Sequence, residues 1–314
     1  MKKTLNLLIS LFIFTYLSAE EPLGYISHST INVGDHFQAI AVKRLLPQNA
    51  IPVDREYISQ FKHNHAVKTV VSGWFMHKKG SFWELDSPPP EQCWPPSVDV
   101  DPFFISIHFT GDLLQDVFKK ENLEYLRRHS PVGARDYFTL DQLQKHGIPS
   151  YFSGCLTLTL DNPYTERNNI VYLVDVHEEV IKYVRAKCSS PIVVLTHGKP
   201  LLKYLKNDHR LKYAEYFLNL YRRAKCVITE RLHVAMPCLA FKTPVLFIHS
   251  YSVSKELGPR FGGLIDHTWH CSAEELYKGI YSYNFDSPPE NPESYLTIRN
   301  SLLDTIEKWV QENR

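Results

Sequence analysis

Three common ligand-binding signatures are missing from this 314-residue sequence. Its 13 glycines form neither a G-x-G-x-x-G nor a G-x-x-x-x-G-K-[ST] motif, so a standard dinucleotide or P-loop nucleotide site has no support. The absence of a G-x-S-x-G elbow weakens an α/β-hydrolase interpretation. Lys and Arg (35) nearly balance Asp and Glu (34), which argues against a nucleic-acid partner. Any bound anion must therefore be held by a local cluster of cations.

Metal and disulfide signatures are also scarce. The six cysteines are spread singly and form no C-x-x-C pair, which argues against a zinc ribbon or a thioredoxin-like site. Cys155, Cys226 and Cys238 lie in apolar stretches, where we expect free thiols packed in the core. His63-x-His65 and His267-x-x-His270 have no third ligand at a convincing spacing. We therefore predict no metal, no cofactor and no disulfide.

The N-terminus carries the one long apolar run. Met1-Lys2-Lys3 is followed by 13 mostly apolar residues, Leu5–Leu17, and then by the small residues Ser18-Ala19. This layout is typical of a bacterial secretory signal, and the run is short for the ~30 Å hydrocarbon layer. We predict that residues 1–19 are a signal peptide or a membrane anchor, with a buried first strand as the alternative. The protein would be exported or membrane-associated through residues 4–19, and on the cytoplasmic face if the segment is an uncleaved anchor.

Short β-rich runs alternate with helical patterns along the rest of the chain, which predicts an α/β fold of β-α-β units with parallel sheets. The polar stretch Asp161–Asn168 interrupts this alternation. We predict two Rossmann-like domains, residues 20–163 and 164–314, that face each other across a cleft. Predicted strands are Leu23–Ser27, Val67–Ser72, Phe103–Phe109, Pro131–Ala134, Ser150–Phe152, Asn169–Asp175, Pro191–Thr196, Lys225–Thr229 and Pro244–His249. Predicted helices are Asp35–Leu46, Asp112–His129, Phe138–His146, His177–Cys188, Pro200–Arg222 and Leu232–Phe241.

A final amphipathic helix is predicted around Pro292–Glu312. Apolar residues from Tyr295 to Val310 recur there at the 3.6-residue spacing that places them on one face. We expect this helix to pack back across the seam between the domains. A partner-binding helix is the alternative.

Polar residues follow three predicted strands, at the sheet edge where open α/β folds bind ligands. The first set is Asn32-Val33-Gly34-Asp35, with Gln38 one turn later. Asp35 and Gln38 resemble a capping box, in which Asp35 would be the N-cap. Asn32, Asp35 and the free helix N-terminus would also border the cleft.

The second set is Val132-Gly133-Ala134-Arg135-Asp136. A guanidinium at the end of a strand can bind a carboxylate or a phosphate through two parallel hydrogen bonds, so Arg135 is a candidate anion ligand. Asp136 is more simply a helix N-cap. A structural ion pair between Arg135 and Asp136 is the alternative.

The third set is Glu230-Arg231-Leu232-His233, where an apolar strand runs into a helix. Arg231 and His233 would lie at the positive end of the helix dipole, which makes an anion site with a titratable group. A neutral histidine packed at a domain interface is the alternative for His233.

The chain resembles the polysaccharide pyruvyl transferase family over most of its length after residue 19. The resemblance rests on segments that occur in the family's order. They are Asn32-Val33-Gly34-Asp35, Leu46-Pro47, Asp54-Arg55-Glu56, Gly73-Trp74-Phe75, Trp94-Pro95-Pro96, Ile105-Ser106-Ile107-His108, Val132-Gly133-Ala134-Arg135-Asp136, Tyr151–Thr159, Thr196-His197, Arg231-Leu232-His233 and Met236–Ala240.

The resemblance implies a GT-B-like fold, a phosphoenolpyruvate donor and a glycan or lipid-linked sugar acceptor in the cell envelope. We predict that the N-terminal domain, with Asn32 and Asp35, is the acceptor side of the cleft and that the C-terminal domain is the donor side. The resemblance also implies that Arg231, Leu232 and an upstream arginine, for which Arg135 is our candidate, bind the donor. Transfer of pyruvate as a ketal requires proton movements near neutrality, and we assign them to His233 as catalytic acid or base.

Two rival functions remain open on the sequence. Asp99-Val100-Asp101 superficially matches a D-x-D metal–diphosphate motif, which would suit a glycosyltransferase that uses a nucleotide sugar. The second rival is a non-catalytic glycan-binding module. Glu230 and Ser72 depart from the family, which often has serine and asparagine at these places. A carboxylate at position 230 would repel an anionic donor unless a cation neutralises it.

Overall fold

A computed structural model describes residues 21–76, 94–111, 113–249 and 258–314. Within these residues, eleven strands form two parallel sheets. The strands of the first sheet are β1 Gly24–Ser27, β2 Ile51–Asp54, β3 Val67–Phe75, β4 Val100–Phe109, β5 Val132–Ala134 and β6 Ser150–Phe152. Those of the second are β7 Val171–Val174, β8 Ile192–Leu195, β9 Cys226–Thr229, β10 Val245–Ile248 and β11 Trp269–Cys271.

Both sheets share one strand order. The first runs β2-β1-β3-β4-β5-β6 and the second, read from its other edge, runs β8-β7-β9-β10-β11. Each follows the doubly wound order 2-1-3-4-5, to which β6 adds one edge strand. In such sheets a crevice opens at the carboxyl ends of the strands where the order reverses. These switch points lie between β1 and β3 and between β7 and β9, and the predicted pair of Rossmann-like halves is confirmed.

Helices cover the faces of both sheets, which is why β7, β9 and β10 are buried along their whole length. The helices of the described residues are α1 Val33–Lys43, α2 Leu113–Val117, α3 Lys120–Arg128, α4 Tyr137–Lys145, α5 Glu178–Lys187, α6 Asn207–Arg223, α7 Leu232–Ala240, α8 Ala273–Tyr277 and α9 Leu296–Asn313.

The last helix, α9, packs back onto the first domain, as predicted. Its Trp309 ring stacks on Phe103 of β4 with 5.2 Å between ring centroids. Arg299 Nη1 donates to the carbonyl oxygens of Leu158 and Leu160, at 2.6 and 2.8 Å. In the sequence, α9 comes after the strands of the second sheet. In the structure it binds and stabilises the segment that follows β6, the last strand of the first sheet. The predicted boundary at residues 163–164 lies in the connection from β6 to β7.

Several predicted elements differ from the structure. The edge strands β2 and β11 were not predicted, because β2 contains Pro52 and β11 has three residues. The single helix predicted over Asp112–His129 is wrong: α2 and α3 are separate short helices. Ahead of α6, Pro200–Tyr204 forms a 3₁₀ turn rather than part of the long helix.

The predicted signal or anchor at residues 1–19 lies outside the described residues, as does Cys93. Among the described helices, none is both long and apolar enough to cross a membrane. The five described cysteines are free thiols. The described ranges also hold no group of three His, Cys, Asp or Glu side chains placed to bind a metal ion.

Candidate anion-binding cleft between the two domains

The switch points of the two sheets face each other across a cleft. Residues from both domains line it: Asn32, Trp74, Arg135, His197, Arg231, Leu232, His233 and Arg260. The structure thus brings together Arg135, Arg231, Leu232 and His233, although 98 positions separate Arg135 from His233. Their chemical roles remain predictions at this point.

A short backbone bridge joins the domains at this cleft. Asn32 pairs with Gly198 in an isolated antiparallel bridge, and the Val33 N–H donates to the His197 carbonyl oxygen at 3.0 Å. The Lys199 N–H donates to the Ile31 carbonyl oxygen at 2.9 Å. Backbone hydrogen bonds therefore fix the N-terminus of α1 against the end of β8.

Gly34 allows α1 to approach α7 closely. A Cβ atom at position 34 would lie 2.9 Å from the His233 Cβ and 3.4 Å from the His197 Nδ1. The first distance is shorter than real Cβ contacts, and neither atom is the far end of a flexible side chain. A side chain at position 34 would therefore move His233 or separate the domains.

We expect Gly34→Ala to lower kcat by roughly 10-fold or more, because a small displacement of His233, the predicted catalytic group, has a large effect on rate. We also expect a loss of about 1–3 kcal/mol in the free energy of unfolding, as for other overpacked sites. Steady-state kinetics and urea unfolding would measure both. Gly262→Ala is the matched control, since a Cβ there meets its nearest atom at an ordinary 3.7 Å. Unchanged kinetics in Gly34→Ala would show that this contact does not position His233.

Arg135 is the most unusual side chain of the cleft. It is 1% exposed, and its Nη1 lies 3.4 Å from the His233 Nε2. Its Nε is 3.5 Å from the Asp136 carboxylate, so the ion pair given as the alternative exists, but Nε and Nη2 make no hydrogen bond within the described residues. Asp136 is the N-cap of α4, as predicted, and accepts from the Thr139 N–H at 3.0 Å. Since buried guanidinium groups are normally hydrogen-bonded, this one is poised to receive an anion.

His233 lies at the first turn of α7 and is 8% exposed. Burial, followed by the positive charge of Arg135, holds its pKa well below the ordinary value of 6.5. The imidazole is therefore neutral at pH 7. Because the facing Arg135 nitrogen can only donate, the His233 Nε2 is the acceptor in their contact. The free site thus contains a base.

Arg231 is held by a carboxylate of the same domain. Its Nε donates to the Asp175 Oδ2 at 3.0 Å, and the His197 N–H donates to the same oxygen at 2.9 Å. Asp175 has φ of +47°, a left-handed conformation that is uncommon outside glycine. Asp175 follows β7 and Arg231 follows β9, so this pair flanks the switch point of the second sheet. Arg231 remains 38% exposed and can still reach a ligand.

Glu230 points away from the cleft, which removes the repulsion expected from the sequence. Its side chain is 1% exposed, and its Oε1 accepts from the His177 N–H at 3.1 Å. Its Oε2 lies 3.5 Å from the His177 Nε2. The carboxylate is thus bound by the start of α5 and is not among the residues that line the cleft. Ser72, the other departure, is buried within β3.

The capping box predicted for Asp35 and Gln38 is wrong. Asn32 is the N-cap of α1, and its Oδ1 accepts from the Gly34 N–H at 3.1 Å. Asn32 lines the cleft as predicted, whereas Asp35 lies behind it and receives a 2.9 Å hydrogen bond from Thr30. Although burial opposes ionisation, Arg55 at 3.5 Å holds the pKa of Asp35 below its ordinary value. The Asn32 Nδ2 donates to the Asp35 Oδ1 at 3.3 Å, so Asp35 supports Asn32 rather than lining the cleft.

Three lining residues were missed as site residues: Trp74, His197 and Arg260. Arg260 belongs to a 3₁₀ turn, Gly258–Phe261, and its guanidinium lies 4.7 Å from the Trp74 ring centroid. The Trp74 Nε1 donates to the Thr110 Oγ1 at 2.6 Å, which fixes the ring at the end of β3. The sequence signal for Trp74 was the Gly73-Trp74-Phe75 segment, while no pattern marked Arg260. With Arg260, three arginines border the cleft.

A comparison with protein families finds one family whose matched region contains most residues of this cleft. The model of the family described as polysaccharide pyruvyl transferase matches residues 32–250, which include each lining residue except Arg260. The chain belongs to the polysaccharide pyruvyl transferase family. Membership implies a transferase enzyme, as the sequence predicted.

Solved structures of similar architecture share little sequence with this pyruvyl transferase family member. An uncharacterised protein from Klebsiella pneumoniae subsp. pneumoniae NTUH-K2044 is 12% identical, with a TM-score of 0.49 over 81% of this chain and 94% of that chain. MnaA of S. aureus, solved with UDP, is 10% identical, with a TM-score of 0.41 over 93% and 97%. A putative UDP-N-acetylglucosamine 2-epimerase from Listeria monocytogenes is 10% identical, with a TM-score of 0.39 over 94% and 98%. No curated protein matches the chain.

The D-x-D motif lies at the wrong end of its strand for a ligand in this cleft. Val100 is the first residue of β4, so Asp99 and Asp101 stand at the amino end, whereas ligands bind at the carboxyl ends. Asp99 accepts from the His63 N–H at 3.3 Å. In this family member the motif therefore has a local structural role.

Four buried histidines predict a loss of stability in acid. Burial is the main cause that lowers the pKa of His36 and His108 to about 4, that of His197 to about 3, and that of His233 well below 6.5. The unfolded chain binds protons on these groups below pH 6.5 and the folded chain does not, so stability falls as the pH falls from 6.5 to 4. Burial also raises the pKa of Asp54 to about 6, which offsets part of this loss.

We expect the free energy of unfolding to drop by on the order of 5 kcal/mol between pH 6.5 and 4. Urea unfolding at half-unit pH steps would measure it. A midpoint that stays constant from pH 6.5 to 4.5 would show that these histidines are not kept neutral by the fold.

Proposed function

We propose that this protein transfers pyruvate from phosphoenolpyruvate, as a ketal, onto sugar hydroxyls of a surface or cell-wall glycan. The observation that carries the proposal is Arg135, a buried guanidinium with two nitrogens that make no hydrogen bond within the described residues. Such a group favours an anion that can accept two hydrogen bonds at once. Membership of the family supplies the reaction class.

The charges of the cleft suit a small donor with two anionic ends. Phosphoenolpyruvate carries a carboxylate and a phosphate, and Arg135 and Arg231 belong to different domains. The Arg231 charge is partly balanced by Asp175, whereas Arg260 adds a third cation.

His233 would act first as a base. The neutral imidazole would accept the proton of a sugar hydroxyl as its oxygen attacks the central carbon of the donor, and would deliver a proton to the methylene carbon. A second hydroxyl of the same sugar would then replace the phosphate, which leaves with the remaining proton. One enol phosphate and two hydroxyls thus give one methyl ketal and one phosphate. Such proton transfers typically contribute 10²–10⁴-fold to the rate.

The first experiment is a thermal-shift comparison of phosphoenolpyruvate with several nucleotide sugars. Stabilisation by phosphoenolpyruvate is expected, and stabilisation by nucleotide sugars instead would support a glycosyltransferase. The second experiment incubates the protein with phosphoenolpyruvate and a panel of glycan acceptors in D₂O. We expect equal amounts of phosphate and of a ketal methyl group that carries one deuterium. Donor binding without product for any acceptor would favour a binding module.

The location follows from the donor. Because phosphoenolpyruvate is cytosolic, we propose that residues 4–19 serve as an uncleaved anchor that holds the enzyme at the cytoplasmic face of the membrane, close to a lipid-linked acceptor. Membrane fractionation of a C-terminally tagged protein would test this. Recovery of the mature chain outside the cell would contradict it.

A further inference from the structure

His197 is a second histidine of the cleft, and neighbouring side chains hold its ring in place. It is fully buried and follows β8. Phe37 and Phe217 pack edge-to-face against the imidazole, with ring centroids 5.2 and 5.7 Å away. Its backbone carbonyl and N–H are both used, in the interdomain bridge and by Asp175. The ring therefore has one orientation.

The two ring nitrogens have different surroundings. Nε2 lies 2.8 Å from the Tyr221 hydroxyl, deep in the core. Nδ1 is buried and makes no hydrogen bond within the described residues. Nδ1 faces the space beside Gly34, where it lies 3.4 Å from the place that a Cβ at position 34 would occupy. His197 is one of the residues that line the cleft. A polar atom in this position requires a partner.

The Tyr221 hydroxyl determines which nitrogen carries the proton. Tyr221 is fully buried, and burial raises its pKa well above 10, so the phenol keeps its proton. The described residues place no acceptor other than the His197 Nε2 within hydrogen-bonding distance of this hydroxyl. A buried hydroxyl proton must be donated, so Nε2 accepts it and the proton of the neutral ring resides on Nδ1.

We propose that Tyr221 locks His197 as the Nδ1–H tautomer, and that this N–H donates to an oxygen of the anionic group that Arg231 binds. The identity of that group as the phosphate or carboxylate of phosphoenolpyruvate rests on the proposed function, whereas the tautomer does not. His197 is then a donor-binding residue and Tyr221 a positioning residue. A neutral N–H group beside Arg231 adds a directional hydrogen bond to the ionic contact of the ligand, and it adds no further charge to the cleft.

The tautomer is tested on the ligand-free protein by ¹⁵N-edited NMR of the histidine rings, with His197 assigned from His197→Asn. We expect a protonated Nδ1 in the wild-type protein and a mixture of tautomers in Tyr221→Phe. Tyr216→Phe is the matched control, because Tyr216 lies on the same helix and is 60% exposed. A protonated Nε2 in the wild type, or an unchanged ring in Tyr221→Phe, would overturn the lock.

Binding is tested by calorimetry with phosphoenolpyruvate and, separately, with inorganic phosphate. We expect His197→Phe to weaken the affinity about 10-fold and Tyr221→Phe about 3-fold, the range of one hydrogen bond to a charged group. His197→Asn should stay within about 3-fold of the wild type, since its amide can donate from nearly the same place. Equal affinities in His197→Phe and the wild type would show that His197 does not donate a hydrogen bond to the bound anion. If inorganic phosphate binds with this pattern but phosphoenolpyruvate does not bind, the proposed function fails and the inference stands.

Discussion

Replacing His233 with alanine is expected to reduce turnover by about 10²–10⁴-fold while phosphoenolpyruvate binds within a few-fold of the wild-type affinity. In the proposed mechanism the neutral imidazole moves protons, and it carries no charge that would hold the donor, because its pKa lies well below 6.5. Its loss also removes the nitrogen that faces Arg135, and water can replace that contact. Phosphate release under saturating donor and calorimetry would separate the two effects.

The control for this variant is His209→Ala, since His209 lies on the exposed face of α6 and does not line the cleft. It should behave like the wild type in both measurements. If His233→Ala instead loses donor affinity and retains its turnover number, His233 is a binding residue. The base would then have to be sought elsewhere in the cleft.

Arg135→Ala is expected to weaken phosphoenolpyruvate binding by about 100-fold or more, because a hydrogen-bonded charge contact in a buried site is lost. Arg135→Lys should recover little of this, since an ammonium group cannot make two parallel hydrogen bonds to one anion. Arg185→Ala, on the exposed face of α5, is the matched control. Calorimetry at fixed ionic strength would measure the three affinities.

A second readout distinguishes Arg135 from Arg231. The charge of Arg135 lowers the pKa of His233, so its removal raises that pKa toward 6.5. The acid limb of kcat/KM should therefore move to higher pH in Arg135→Ala. Arg231→Ala is expected to weaken donor binding strongly as well, but with a smaller shift of that limb. An Arg135→Ala protein with normal affinity and an unmoved limb would show that the pair with Asp136 is merely structural.

The sequence located those site residues that follow a buried strand and begin a helix. Arg135 and Arg231 stand where an apolar run gives way to a helix, and the carboxyl edge of a parallel sheet collects such positions. The two arginines were expected to meet across the two domains because each domain was predicted to be a doubly wound sheet. Short apolar strands followed by polar residues were the pattern that indicated this fold. Arg260 gave no comparable signal, because it lies in a 3₁₀ turn and reaches the cleft through its contact with Trp74.

The direction in which a site side chain points could not be predicted from the sequence. Glu230 stands next to Arg231 in the chain, yet His177 draws its carboxylate to the other side of the strand end. Likewise, Asn32 and Asp35 both suit an N-cap, and the interdomain bridge at Asn32 decides between them. In both cases the deciding contact comes from a residue more than 50 positions away, which local patterns do not report.

The packing of α9 on the first domain has a consequence for biosynthesis. The hydrogen bond from Arg299 to Leu158 joins residues 141 positions apart, and Trp309 covers Phe103 across a still longer separation. A nascent chain that emerges from the ribosome N-terminus first exposes Phe103 and the Leu158 carbonyl long before α9 exists. The first domain is therefore completed only after the second has been synthesised, and a fragment that stops before α9 leaves an apolar surface open to aggregation.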